Sequence, residues 1–201
     1  MRDELLLELS PSAIKIRDAA RALTQNRALA EVTIADVAHR SGVNEVTIYR
    51  IFGSRDGLAA ACWSTNLPAL HRGIRRDHAG LQDPIDRIKA HLRRLARIAV
   101  SDREITQSLI LAVEAVAMGS SSAMGTLDPR ELVPLPQILT PLIVDAQDAG
   151  LMRNDYSAFE LAVFLTNSLL LRLLTRPDHS AATVSRFVID LSLEGVLTGS
   201  R

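Results

Sequence analysis

The chain has 201 residues, with 23 basic and 23 acidic side chains and a formal net charge of zero at pH 7. Hydrophobic residues make up 47% of it and aromatic residues only 3%, a leucine- and alanine-rich composition that favours helices around a sizeable core. One cysteine, Cys62, excludes an internal disulfide. The five histidines lack metal-site spacing, and no phosphate loop or nucleophile motif is present. We therefore expect no enzyme, no metal and no cofactor.

Charge is unevenly distributed along the chain. Residues 61–100 carry a net charge of +5, and residues 101–201 carry −5. This asymmetry suits a protein that presents one end to phosphate groups. The acidic start has too short an apolar run for a signal peptide, and the apolar run at 161–174 is too short to span a bilayer. We expect a cytoplasmic protein with no membrane partner.

The first helix is predicted to begin at the Ser-Pro pair of residues 10–11, an N-cap and its following proline, and to run to about Asn26. A second helix begins at Thr33, where Asp36 occupies the acidic position of a capping box. That helix ends at Gly42, because glycine tolerates the left-handed conformation that a C-cap needs.

A third helix follows at once, with Asn44 as its N-cap. Ile48 and Ile51 face inward in this helix, and the polar face is left outward. Two short helices joined by a tight turn form a helix-turn-helix, whose second helix lies in the major groove of DNA. The outward residues are Glu45, Thr47, Tyr49 and Arg50.

These residues resemble the tetracycline-repressor (TetR) family of bacterial transcriptional regulators. The family motifs are matched at residues 19–20, 33–38, 41–44, 47–52 and 54–58. The chain departs from the family pattern at Ser41, Asn44, Ile51 and Arg55, where the family has Ala, Ser, an aromatic residue or His, and Lys.

These departures decide which DNA-binding roles of the family can be assigned to residues of this chain. Ile51 removes a possible polar contact, so we assign it no DNA role, whereas Arg55 keeps the charge for a phosphate contact. Tyr49 is favoured for DNA over the core, because Ile48 and Ile51 already supply the core face. Glu45 and Thr47 either contact DNA or are merely solvated. The predicted DNA-binding residues are Thr33, Asn44, Glu45, Thr47, Tyr49, Arg50 and Arg55.

Helix signals continue along the rest of the chain. Ser54 caps a helix that is predicted to continue past Trp63 toward His71. The Asp-Pro pair at 83–84 opens the next helix, an amphipathic one with apolar residues three and four apart. On its charged face His91 is expected to be solvated.

Residues 101–104 resemble a capping box that starts a helix at residues 105–118, apolar nearly all round and therefore expected to be central in its domain. A flexible loop is expected at 119–125. Prolines punctuate the next segment, which runs helically to Gly150. Ser157 then opens another helix.

The last two helices predict a dimer. The helix from Ser157 to about Thr175 has more apolar surface than one core face needs, and a monomer cannot easily leave that much exposed. A final helix is capped by Ser180. We expect both to pair with their copies in a four-helix bundle, as the resembled family also does.

Polar residues inside apolar helices are candidates for ligand contact. Glu114 and Asn167 need hydrogen-bond partners if buried, and either the protein itself or a small molecule could supply them. Few aromatic residues and no basic cluster there favour a neutral or cationic hydrophobic compound. The predicted ligand-binding residues are Gln107, Glu114, Met118 and Asn167.

The sequence therefore predicts an all-α fold of about nine helices, with a helix-turn-helix domain at 10–55 and a helical ligand-binding and dimerisation domain at 75–198. The resemblance implies a ligand-responsive repressor, not an enzyme. It would bind a palindromic double-stranded operator as a homodimer and be released by a small hydrophobic effector. Alternatively, the C-terminal domain is only a dimerisation or partner-binding module.

Overall fold

A computed structural model of the chain describes residues 7–119, 125–193, 195 and 197. These described residues form eleven α-helices and no β-strand, and an isolated antiparallel bridge pairs Met152 with Leu197. The all-α prediction is confirmed. The helices are α1 (Pro11–Thr24), α2 (Ile34–Ser41), α3 (Glu45–Phe52), α4 (Arg55–Ser64), α5 (Leu67–His78), α6 (Pro84–Ser101), α7 (Arg103–Ala117), α8 (Pro129–Leu132), α9 (Leu135–Asp148), α10 (Ala158–Thr175) and α11 (Ala181–Val188).

The expected number of helices, about nine, is too low. The helix predicted from Ser54 toward His71 is divided into α4 and α5, because α4 ends at Ser64 and Thr65 forms its C-cap. The short helix α8 was not predicted at all. Most of the predicted loop at 119–125 lies outside the described residues.

The chain divides into two compact units. Unit 1 comprises Met1–Leu67 and Asp102–Val133, and unit 2 comprises Pro68–Ser101 and Pro134–Arg201. Unit 1 thus contains the helix-turn-helix together with α7 and α8, which the sequence had assigned to the C-terminal domain. The domain bounds of 10–55 and 75–198 stay a prediction.

Local capping chemistry explains where most helices begin. At six helices the predicted N-cap side chain accepts a hydrogen bond from a backbone N–H in the first turn, which a helix otherwise leaves without a partner. At Thr33 and Asp36 both bonds of the capping box are present. The other confirmed caps are Ser10, Asn44, Ser54, Ser157 and Ser180.

The capping box predicted at residues 101–104 is wrong. The N-cap of α7 is Asp102, and it makes no side-chain cap bond. Its carboxylate instead accepts hydrogen bonds from Arg21 and Asn66, and Glu104 accepts one from the backbone N–H of Leu29. These more distant partners have displaced the local motif.

The core of unit 1 is formed largely where α4 packs against α7. Trp63 is fully buried there, and its indole Nε1 donates to the hydroxyl of Thr106 over 2.8 Å. The sequence predicted that α7 is central in the C-terminal domain, but α7 lies in unit 1 and is covered on one side only. It buries one face, including Leu109, while Leu111 is 44% exposed and Met118 is 78% exposed.

The core of unit 2 lies among α6, α9, α10 and α11. Its fully buried residues include Leu92, Leu95, Leu139, Leu165 and Leu169. His91 is also fully buried, so the expectation that it is solvated is wrong. Its spacing from Leu95 places it on the side of α6 that the unit covers.

The helix α10 is longer than the apolar run at 161–174 that was judged too short to span a bilayer. Its 18 residues are long and apolar enough to cross a membrane by length and composition alone, so the length argument against a span does not hold. The helix nevertheless packs against α6, α9 and α11, and buries Leu161, Leu165, Leu169 and Leu173. This packing is that of a core helix with one exposed face.

Candidate DNA interface

The helix-turn-helix is built from α2, a glycine turn and α3. Gly42 ends α2 with φ at 69°, a left-handed conformation that a side chain would make costly. Asn44 then starts α3, whose Ile48, Ile51 and Phe52 are buried in unit 1. The opposite face of α3 is therefore held outward.

The outward face of α3 carries most of the predicted DNA-binding residues. Glu45, Tyr49 and Arg50 are exposed, Tyr49 to 48%, and Thr47 is half-buried. Arg50 has no ion-pair partner within the part of the chain that the structure describes. Its guanidinium is available to a base edge or a phosphate.

Thr33 and Asn44 are exposed, but both also act as helix caps. The hydroxyl oxygen of Thr33 accepts from the N–H of Asp36 over 3.0 Å, and the amide oxygen of Asn44 accepts from the N–H of Thr47 over 2.8 Å. Each side chain keeps donor hydrogens that the cap does not use. Either residue can therefore cap its helix and donate to a phosphate.

Arg55 has a structural bond that the sequence did not predict. Its Nη2 donates to the carbonyl of Leu29, which lies in the 3₁₀ turn Leu29–Glu31 before α2. The side chain is exposed and has further N–H groups. A phosphate contact at Arg55 would use those remaining donors.

Val46 is a candidate that the sequence analysis missed. It is 78% exposed on α3, between Glu45 and Thr47. Apolar side chains in the major groove contact the methyl group of thymine. The signal was available, because residues 45, 46, 49 and 50 fall on one face at helical spacing.

The end of α3 is held by a segment far away in sequence. The N–H of Thr126 donates to the carbonyl of Arg50 over 3.0 Å, and the N–H of Leu127 donates to that of Ile51 over 3.1 Å. A Cβ on Gly125 would collide with the Ile51 carbonyl oxygen, so only glycine allows this approach. Carbonyls that a helix end leaves without partners are thereby satisfied.

A polar network joins α7 to the rest of unit 1. Asp102 forms an ion pair with Arg21 of α1 at 2.8 Å and accepts from the amide of Asn66 at 2.9 Å. The hydroxyl of Thr106 donates to the backbone carbonyl of Asp102 over 2.9 Å while accepting from Trp63. The helix-turn-helix is therefore part of a larger body that includes α7.

The four predicted ligand-binding residues are not buried. Gln107 is half-buried, whereas Glu114, Met118 and Asn167 are exposed, so Glu114 and Asn167 do not need hydrogen-bond partners from a buried environment. The first three lie in unit 1 and Asn167 in unit 2. Their contact with a ligand stays a prediction.

Unit 2 holds buried polar groups that the sequence analysis did not single out. Both ring nitrogens of His91, the hydroxyl of Thr166 and the side-chain oxygen of Gln137 have no hydrogen-bond partner among the described residues. Burial, with smaller effects from His78 and His71, lowers the pKa of His91 to about 3. The imidazole is therefore neutral at physiological pH, with one donor and one acceptor unused.

Residues 16–62 match the family model "Bacterial regulatory proteins, tetR family". No curated protein matches the chain by sequence.

Solved structures with the same fold cover most of the chain. FadR of Thermus thermophilus, a TetR family transcriptional repressor in complex with lauroyl-CoA, is 21% identical with a TM-score of 0.73, over 91% of this chain and 94% of that one. A TetR-family regulator from Rhodococcus sp. is 20% identical with a TM-score of 0.61, over 94% and 100%. The ketosteroid regulator KstR2 of Mycobacterium tuberculosis is 14% identical with a TM-score of 0.57, over 96% and 99%.

The family match falls on α1 to α4, the helices that build and support the helix-turn-helix described above. The structural matches extend the same fold over the C-terminal helices. Residues 16–62 therefore form a helix-turn-helix domain of the tetR family of bacterial regulatory proteins, and the rest of the chain has the fold of the solved TetR-family regulators.

Proposed function

We propose that this protein is a repressor that binds a palindromic operator as a homodimer and leaves it when a small hydrophobic effector binds. The observation that carries the proposal is the outward face of α3, where Val46, Tyr49 and Arg50 are exposed on a helix fixed at both ends. Such a protein is a regulator, not an enzyme, and works in the cytoplasm, where bacterial DNA lies.

The DNA-contacting residues divide into two groups. Glu45, Val46, Thr47, Tyr49 and Arg50 face base edges in the major groove, where side chains of a recognition helix read sequence. The others position the protein on phosphates without reading sequence. These are Thr33, Asn44 and Arg55.

The dimer is supported by apolar side chains exposed on α10 and α11. Phe164 is 49% exposed and Leu171 58% exposed, and they lie seven residues apart on one face of α10. On α11 and the turn after it, Phe187 is 37% exposed and Leu191 65% exposed. Burying these four side chains against a second copy removes them from water. Two copies would then present two reading helices, which require a palindromic operator.

An effector is supported by the unpartnered polar atoms in unit 2. Buried polar groups in native proteins are nearly always hydrogen-bonded, so each exception needs a partner that the chain does not provide. His91, Thr166 and Gln137 are such exceptions. A mostly apolar compound with one or two polar groups would satisfy them, and the predicted ligand residue Asn167 lies in the same unit.

Operator selection from random double-stranded DNA tests the DNA-binding part. The full-length protein should enrich a palindrome whose half-sites lie about one helical turn or more apart. Arg50→Ala should lower affinity for that operator by about 1–3 kcal/mol, because a bidentate contact to a base has that value. Tyr49→Ala tests the same face.

The control for these variants is Arg176→Ala, which removes an exposed arginine of unit 2. It should leave operator affinity unchanged. If Arg50→Ala and Tyr49→Ala both bind the operator as the wild type does, α3 is not the recognition helix and this proposal fails.

The dimer and the effector have separate tests. Light scattering should give twice the chain mass of 21.9 kDa, and Leu171→Arg should reduce it to one chain. A panel of hydrophobic compounds should raise the melting temperature and release the operator. The panel includes lauroyl-CoA, because the T. thermophilus FadR structure contains it. If every compound fails and a protein partner binds instead, the partner-module alternative takes the place of the effector.

A further inference from the structure

A groove in unit 2 lies between α6 and α11, with a volume of about 300 Å³. That is about ten times the volume of one water molecule in the liquid, and it matches the lower limit of small-molecule sites. The groove is lined by Arg93, Arg97, Ala181, Ala182, Ser185, Arg186, Ile189 and Asp190.

Three of the eight lining residues are arginines, and they come from two helices. Arg93 and Arg97 belong to α6 and Arg186 to α11, and all three are exposed. Neither Arg93 nor Arg186 forms an ion pair among the described residues, whereas Arg97 shares Asp77 of α5 with Arg94. The lining contains a single carboxylate, that of Asp190. Positive charge at Arg93 and Arg186 therefore exceeds the negative charge that faces it.

The first two residues of α11 belong to the lining of the same groove. Ala181 and Ala182 occupy the first two positions of this eight-residue helix. Their N–H groups have no partner within the helix, and they point toward its positive end. The cap Ser180 satisfies a different group, the N–H of Thr183. Residues of the first turn of α11 thus line the groove together with the three arginines.

The groove lies on a different side of α6 from the unpartnered imidazole of His91. At 100° per residue, Arg93 and Arg97 lie 200° and 240° around α6 from His91, on nearly opposite sides of the helix. His91 is fully buried, whereas Arg93 and Arg97 are exposed. A molecule in the groove would therefore be a second ligand, separate from the proposed effector.

We propose that the groove between α6 and α11 binds the phosphate group of a small phosphorylated compound. Phosphate offers three acceptor oxygens, and arginine is suited to binding them with paired N–H groups. Carboxylate offers only two oxygens. The groove is also larger than a single phosphate, which leaves room for an ester group beside Ile189.

Calorimetric titration of the full-length dimer tests the proposal with three probes: inorganic phosphate, phenyl phosphate and succinate. Both phosphates should bind once per chain, more tightly than succinate, and more weakly as salt is added. Phenyl phosphate binding more tightly than inorganic phosphate would identify an ester as the natural ligand. Equal affinity would identify the free anion.

Arg93→Gln and Arg186→Gln should each weaken phosphate binding about tenfold, because each removes a charge-assisted hydrogen bond. Arg97→Gln should have a smaller effect, since Asp77 already neutralises that guanidinium. The matched control is Arg76→Gln, an exposed arginine of α5 outside the groove, which should bind phosphate as the wild type does.

Ala182→Glu is a second variant that keeps every arginine and places a negative charge in the groove. It should abolish phosphate binding while operator affinity and molar mass stay unchanged, so its readout is independent of the proposed repressor function. The proposal is overturned if neither phosphate binds, or if succinate binds equally well. It also fails if Arg76→Gln loses as much affinity as Arg186→Gln, or if the groove variants dissociate the dimer.

Discussion

Two buried threonines show how differently the two units treat polar groups. In unit 1 the hydroxyl of Thr106 accepts from Trp63 and donates to the carbonyl of Asp102. In unit 2 the hydroxyl of Thr166 is equally buried and has no partner. All the buried side-chain atoms without a partner among the described residues lie in unit 2.

The difference fits the two tasks proposed for the units. A DNA-binding unit must hold its side chains at fixed positions, and a network in which every polar group is hydrogen-bonded favours one arrangement over others. A site that awaits a ligand must instead leave hydrogen bonds unmade until the ligand arrives, at a cost in stability.

The largest effect is expected at the centre of the unit 1 network. Asp102→Ala removes the partner of both Arg21 and Asn66, and should lower the free energy of unfolding by about 2–3 kcal/mol. These side chains keep some access to water, 27% for Arg21 and 18% for Asp102, which limits the loss. Urea denaturation measures it. Asp148→Ala, an exposed carboxylate of α9, is the control and should cost less than about 0.5 kcal/mol.

Acid should destabilise unit 2 through His91. Burial lowers its pKa to about 3, from an ordinary value of 6.5. Between these values the unfolded chain binds a proton that the folded chain does not, so stability falls as the pH falls below about 6.5. At about pH 5 the loss is roughly 2 kcal/mol.

His91→Leu should remove this loss. The stability of the variant relative to the wild type should therefore rise by about 2 kcal/mol when the pH is lowered from neutral to about 5. Urea denaturation of both proteins at both pH values measures this change. The substitution should also weaken the effector response. His39→Leu changes an exposed histidine and should follow the wild-type pH dependence. Parallel curves for His91→Leu and wild type would mean that His91 is not buried as an uncharged ring.

Gly125→Ala tests whether the end of α3 depends on the segment that follows α7. An added Cβ forces the backbone away from the Ile51 carbonyl and breaks the bonds made by Thr126 and Leu127. We expect a loss of about 1–2 kcal/mol in stability and weaker operator binding. Gly195→Ala is the control, because a Cβ there meets open space. Equal operator affinities for the two variants would show that α3 needs no such support.

The features that the sequence predicted correctly are local ones. A capping residue and its partner lie three positions apart, so Thr33, Asn44 and Ser54 could be identified without knowing the fold. The helix-turn-helix could be predicted for the same reason, because its caps and its glycine turn lie close together in sequence. The capping box at 101–104 was wrong because Asp102 and Glu104 found partners more than 30 residues away.

Burial was harder to predict than capping, because it depends on which helices meet. An apolar helix such as α7 gives no sign of which side its neighbours cover, so its exposed Leu111 could not be foreseen. His91 was misjudged from its neighbours in sequence, Arg93 and Arg94. Its spacing from Ile88 and Leu95 already placed it near the covered face.

The smallest effect comes from a matched pair of substitutions, Thr106→Val and Thr166→Val. Both replace a buried hydroxyl by a methyl group of similar volume, so packing and desolvation change alike. Thr106→Val leaves the indole N–H of Trp63 without an acceptor, and should lower the free energy of unfolding by about 1–2 kcal/mol. Thr166→Val removes a hydroxyl that has no bond to lose, so stability should stay within about 0.5 kcal/mol of the wild type or rise. Urea denaturation of the two variants measures the difference directly. Equal losses would mean that the Thr166 hydroxyl has a hydrogen-bond partner. The proposed difference between the two units in how they pair buried polar groups would then be wrong at Thr166.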